Sequence, residues 1–190
     1  MIHFPTQAKR HFDPIAQQSG MVCVASDDSR VRYDNARAYL IVSHDGRRSY
    51  EISVDFGRNG ARGQGAEFSL AEVLRLRGVD DAAFVSGLMI SDPARLCTVL
   101  EKLARLTAQH AREYLAGDEF SFAQLQGVRR RDAKDFELQA RLRRTRSALE
   151  ISWRAKDFDA VVGALAPMKA WLTAAEIQKL EYARARLQHR

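Results

Sequence analysis

Residues 37–56 constrain the fold more than any other stretch. They read Arg-Ala-Tyr-Leu-Ile-Val-Ser-His-Asp-Gly-Arg-Arg-Ser-Tyr-Glu-Ile-Ser-Val-Asp-Phe. Two runs rich in β-branched and aromatic residues flank Asp45-Gly46, a dipeptide that accepts the positive φ angles of a tight hairpin turn. Tyr50, Ile52, Val54 and Phe56 alternate with Glu51, Ser53 and Asp55. A period of two places the first set on one face of a strand and the second on the other. The partner, residues 39–42, is apolar throughout, as in a more central strand. Residues 21–25 and 31–33 predict two further strands, separated by the turn Ser26-Asp27-Asp28-Ser29. Connections this short exclude crossover helices, so the four strands form an antiparallel meander.

Helical signals surround this sheet. Residues 6–18 predict a first helix with Phe12, Ile15 and Ala16 inward, although Pro14 opposes it. Ser69-Leu70-Ala71-Glu72 is a capping box, with Leu70, Val73, Leu74 and Leu76 buried and Gly78 as the stop. Asp92-Pro93 opens an amphipathic helix carrying Leu96, Val99, Leu100, Leu103, Leu106, His110 and Tyr114, closed by Gly117. His110 reads as a partly buried structural histidine. After one or two turns over 118–126, Asp132 caps a long helix with Phe136, Leu138, Leu142, Thr145, Leu149 and Trp153 along one side. A short helix over 158–166 ends at Pro167, and a second capping box, Thr173-Ala174-Ala175-Glu176, starts the last one.

The expected fold is therefore α+β: an antiparallel four-stranded sheet from the N-terminal third, packed against a C-terminal set of helices. Residues 1–190 are expected to form a single domain, with a sheet-containing part over 1–78 and a helical part over 92–190.

Composition narrows the function classes. No run of roughly 18 apolar residues exists, so no membrane span is expected. The N-terminus lacks a signal-peptide core, and Cys23 and Cys97 are in no C-x-x-C spacing; a cytoplasmic location is expected. Net charge is +6 and the pI is near 9.6, which favours acidic partners. Between residues 129 and 146 there are eight basic residues and three acidic ones, an excess of five that is most of the whole-chain charge.

A catalytic constellation is not legible. There is no H-E-x-x-H, Walker A, G-x-S-x-G or Cys/His metal cluster. Cys97, on the apolar side of its helix, reads as a small hydrophobe. The glycine-rich loop 57–65 lacks both Gly-Lys-Ser/Thr and G-x-G-x-x-G spacing, and reads as a flexible connection with Arg58 and Arg62 solvated rather than as a phosphate cradle. Glu51 and Asp55 read as the polar side of a solvated strand. No cofactor and no metal are expected.

Three segments carry a resemblance: residues 153–165 with 172–184, the Arg-Ser-Tyr-Glu hairpin (48–51), and Phe-Ser-Leu-Ala-Glu-Val-Leu (68–74). Together they resemble small bacterial proteins similar in size and build to the immunity proteins of polymorphic toxin systems. The helical tail also looks like one tetratricopeptide unit, without the 34-residue repetition that makes an array. The resemblance implies a non-enzymatic protein that neutralises a toxin by binding and blocking it. The positive charge departs from the acidic character of nuclease-blocking immunity proteins and points away from a nuclease partner. The alternative is a basic nucleic-acid-binding protein using the helix around 129–146; a third reading is an enzyme whose site is assembled from distant segments. The expected contact residues for an acidic protein partner are Arg130, Lys134, Arg141, Arg143, Arg144 and Arg146, with Arg47 and Arg48 at the hairpin tip as a second surface.

Overall fold

The computed structural model describes residues 3–60 and 67–188. The fold is α+β, and the chain divides by its internal contacts into two compact units, Met1–Val128 and Arg129–Arg190.

In the first unit, helix α1 (Phe4–Gln18) buries Phe4, Pro5, Ala8, Phe12 and Ala16 at helical spacing. Pro14 is accommodated inside the helix on its exposed side. The helix ends in a Schellman motif. Gly20 takes φ +66°, its N–H reaches the Gln17 carbonyl at 3.0 Å, and the Met21 N–H reaches that of Ala16 at 2.8 Å.

Five strands follow: β1 (Val22–Ser26), β2 (Arg30–Asp34), β3 (Ala38–His44), β4 (Ile52–Arg58) and β5 (Glu67–Ser69), each antiparallel to the next. The expected meander is thus present with one strand more. Strand β5 is only three residues long and runs straight into the capped helix α2 (Leu70–Leu76), too short for alternation to reveal it. The register aligns Val31, Val42 and Val54 in one row, and Tyr33, Leu40, Phe56 and Phe68 in the next. These side chains are buried on the face that the helices cover. Gly57 belongs to β4 opposite Tyr39, whose ring lies over it and leaves no room for a Cβ.

The β3–β4 hairpin is not the tight Asp-Gly turn expected. The strands close at the pair His44–Ile52, and the loop spans residues 45–51. The Asp45 carboxylate organises it, accepting the N–H groups of Arg47 and Arg48 through Oδ1 at 3.2 and 3.1 Å, and that of Ser49 through Oδ2 at 3.2 Å. A side chain that satisfies three loop amides favours the wider turn over a two-residue one. Tyr50 leaves the strand in consequence, taking φ 55° and standing exposed instead of facing the core.

Short α3 (Asp81–Val85) precedes α4 (Pro93–His110), which Asp92 caps through the Ala94 N–H at 2.9 Å. The helix breaks at Ala111, so Tyr114 belongs to a separate turn, α5 (Arg112–Leu115). The helices over the sheet therefore include α1 and α2 from the N-terminal part, as well as α4 and α5, rather than a C-terminal set alone. Tyr114 meets Phe56 at 6.2 Å and Phe122 edge-on at 5.2 Å, and Phe122 meets Phe68 at 5.9 Å, joining α5 and the start of α6 to the sheet.

Helix α6 (Glu119–Arg154) runs for 36 residues without interruption. Asp118 caps it through the Ser121 N–H at 2.8 Å, and Asp132, expected as a cap, is an exposed residue in mid-helix. In the second unit the part of α6 from Arg129 onward joins α7 (Phe158–Leu165), a 3₁₀ segment (Ala166–Trp171) and α8 (Ala174–Gln188). Pro167 is the second residue of the 3₁₀ segment rather than the end of the helical structure. Leu149, Val161, Leu165, Leu180 and Ala183 form a separate core, flanked by Trp153 and Phe158. The Thr173 capping box is formed: the Thr173 N–H donates to Glu176 at 2.8 Å, and the Glu176 N–H to Thr173 Oγ1 at 3.3 Å.

Candidate binding surface

The basic run lies on α6. At about 100° per residue, Arg130, Lys134, Arg141 and Arg144 fall within about 80° of one another, on a side away from buried Leu142 and Leu149. All four are exposed, as is Arg143, which lies off this stripe. None of the five side chains makes an ion pair among the described residues. Two large apolar side chains stand among them: Phe136 is 71% exposed and Ile151 72%. Phe136, expected on the buried stripe, shares its side of the helix with Arg143, and Ile151 shares that of Arg144. The buried stripe passes instead through Leu142, Leu149 and the half-buried Leu138 and Trp153. The result is a cationic surface interleaved with apolar groups.

Arg146 plays a different part. It clasps Glu176 at the start of α8 with two bonds, Nε to Oε1 at 2.6 Å and Nη2 to Oε2 at 3.2 Å. Hydrogen bonding to Arg146 pulls the Glu176 carboxyl down to about 2, against the burial that would raise it. This arginine is occupied in joining α6 to α8.

Arg47 and Arg48 are exposed on the 45–51 loop and make no ion pair among the described residues. Arg47 borders a cleft of about 960 Å³ that is also lined by Phe4, His44, Tyr50, Ile90 and Asp92. His44 Nε2 is hydrogen-bonded to the Ile90 carbonyl at 3.0 Å and its ring packs 5.6 Å from Phe4, so the imidazole is a structural element of the cleft wall. The carboxylates at this end are engaged: Asp45 holds its loop, Asp27 accepts the Ser29 N–H and hydroxyl, and Asp92 caps α4.

The other face of the sheet carries polar groups beside the buried Tyr39 and Ile41. Ser43 and Ser53 share a 2.7 Å hydrogen bond, and Ser53 donates to Asp55 Oδ2 at 2.6 Å. Burial pushes the Asp55 carboxyl up, with Glu67, Glu72 and Glu51 adding to the effect. Arg32 pairs with Asp34 at 2.8 Å while its guanidinium stacks 4.3 Å above Tyr39. Asp55, read as a solvated residue, is instead half-buried. Glu51 stays exposed, so the two do not form a matched carboxylate pair.

Among the described residues no group of three His, Cys, Asp or Glu side chains is placed to hold a metal ion, and no helix is long and apolar enough to cross a membrane. Residues 61–66 of the glycine-rich loop lie outside the described residues. Arg58, expected to be solvated, pairs with Glu119 at 3.0 Å.

One juxtaposition has no local sequence signal. Packing of α1 on α4 brings His11 to Cys97, with Nε2 3.5 Å from Sγ, and brings Gln7 Oε1 to 3.4 Å from the same sulfur. All three side chains are half-buried. Cys97 is thus held by polar partners rather than packed as a small hydrophobe. The pairing spans 86 residues, and only the register of two helices creates it.

Comparison with protein-family models, curated proteins and solved structures finds no match to this chain.

Proposed function

We propose that this protein is a non-enzymatic binding module that neutralises a toxin by covering a site on it, with the exposed basic face of α6 as the contact surface for an acidic protein partner. The observation that carries this reading is the combination on one helix of cations that have no ion-pair partner among the described residues, at Arg130, Lys134, Arg141, Arg143 and Arg144, and outward-standing Phe136 and Ile151. Arginine and aromatic side chains are enriched in protein interfaces, and arginine is among the residues most often found as binding hot spots. A partner carboxylate pairs bidentately with the guanidinium fork, and the apolar groups exclude water around the pair.

Phosphate recognition needs the cations but not the apolar side chains, so nucleic acid is the second reading. Binding to RNA or DNA that weakens steeply with salt, and is lost in Arg141→Glu/Arg143→Glu/Arg144→Glu, would favour it over the first. The direct test of the first is growth protection. Cells expressing a toxin encoded beside this gene should survive with the wild-type protein and not with that triple variant, provided circular dichroism shows its helices intact. Wild-type protein that protects against none of the neighbouring toxins would overturn the reading.

A further inference from the structure

We propose that Cys97 is a nucleophilic thiol, with His11 as its base, and that it is a site of modification by small disulfides. The site lies in the first unit and does not depend on the α6 surface. Its geometry is that of a nucleophile with a base in reach: Cys97 Sγ lies 3.5 Å from His11 Nε2, each on a regular helix whose packing fixes the pair. Rotation about the Cβ–Sγ bond lets the thiol hydrogen point to His11 Nε2 or to Gln7 Oε1, which is 3.4 Å away. Gln7 precedes His11 by four residues on α1, one helical turn, so the same face of one helix presents both groups to the sulfur. Half-burial leaves the sulfur within reach of a small reagent while holding its partners in place. The other thiol of the chain, Cys23, is more exposed; its sulfur donates to the Ala25 carbonyl at 3.6 Å, and among the described residues no histidine is hydrogen-bonded to it.

The step is thiol–disulfide exchange. Cys97 Sγ attacks one sulfur of the incoming disulfide as its proton passes to His11 Nε2. The new S–S bond forms, the old one breaks, and the departing thiolate takes the proton from the imidazolium. The disulfide supplies the oxidising equivalents: one of its sulfurs is reduced to a thiol while Cys97 is oxidised to the mixed disulfide. Free thiolate alone would make the more exposed Cys23 the faster site; a paired base reverses the order.

The experiment uses the full chain and oxidised glutathione as the probe, with peptide mass spectrometry reporting each cysteine separately. At about pH 7, below the ordinary thiol range of about 8.5, Cys97 is expected to form the mixed disulfide at least tenfold faster than Cys23. His11→Ala is expected to slow Cys97 at least tenfold at that pH, without changing Cys23. At about pH 9.5, where thiols ionise unaided, the variant should regain most of its rate. Should the alanine variant fail to fold by circular dichroism, His11→Gln, which keeps a polar side chain of similar reach but removes the base, is measured in its place. Cys23 reacting as fast as Cys97 would overturn the proposal. So would an unchanged Cys97 rate in the His11 variant, or a loss that persists at the alkaline pH and therefore reflects access rather than the base.

Discussion

Two carboxylates respond to pH in opposite senses. Burial raises the folded-state pKa of Asp55. A group raised on folding contributes stability below its unfolded value, about 3.9, and that contribution is lost as pH rises through the folded pKa. Asp55→Asn keeps an acceptor for the Ser53 hydroxyl and has no charge to bury, so the first unit should gain stability over wild type as pH rises from about 4 to 8. Hydrogen exchange of the β3 and β4 amides measures this; equal protection in both proteins at every pH would refute it. Glu176 is depressed to about 2 by Arg146. Its contribution is present above the unfolded value of about 4.3 and is lost as pH falls towards 2. Both tryptophans of the chain, Trp153 and Trp171, are in the second unit, so their fluorescence follows that unit's unfolding. Glu176→Gln should destabilise it by about 1 kcal/mol at neutral pH, the scale of a partly exposed ion pair, and the difference should fade in acid. Asp55 was not identifiable as half-buried because alternation tells which face a residue takes, and not how far its neighbours shield it from water.

At the scale of elements, what local chemistry determines was legible and what packing determines was not. The capping boxes at Ser69 and Thr173, the Asp92-Pro93 start and the Gly20 stop all read directly, because each is completed within a few residues, whereas Gly117 closes the separate turn α5 and not the helix that Asp92 opens. The boundary placed at Asp132 failed for a physical reason: aspartate is a good cap but is also tolerated on an exposed helical face, where nothing competes with the backbone ladder. Asp118, the cap in use, lies next to Gly117, which takes φ +73°. Gly127 is the weak point inside α6. A Cβ there meets nothing within 4 Å, so Gly127→Ala should raise stability by about 0.5–1 kcal/mol through lower unfolded-state entropy and better helix propensity. Chemical denaturation followed by circular dichroism tests this, and a destabilised alanine variant would show that the helix needs its glycine. The 45–51 loop was misread because Asp-Gly signals a turn without specifying its length, which the Asp45 side chain decides.

Over the whole molecule, the sequence located the positive charge and left its surroundings open. The five basic side chains at 130, 134, 141, 143 and 144 were identified from the charge run, and the structure places them on the exposed side of one helix. Arg146 could not be set apart from them, because its partner Glu176 is 30 residues away. Phe136 and Ile151 join the surface only once the helix is seen to continue and to bury Leu142 and Leu149 instead. The Cys97–His11 pair likewise required the docking of α1 on α4. The most direct test of the central claim is the affinity for a candidate toxin encoded beside this gene, measured by titration calorimetry for wild type, Arg143→Glu/Arg144→Glu and Arg47→Glu/Arg48→Glu. A basic α6 contact predicts a loss of more than about 2 kcal/mol, roughly 30-fold in Kd, for the α6 variant and little change for the loop variant; full affinity in the α6 variant would contradict it.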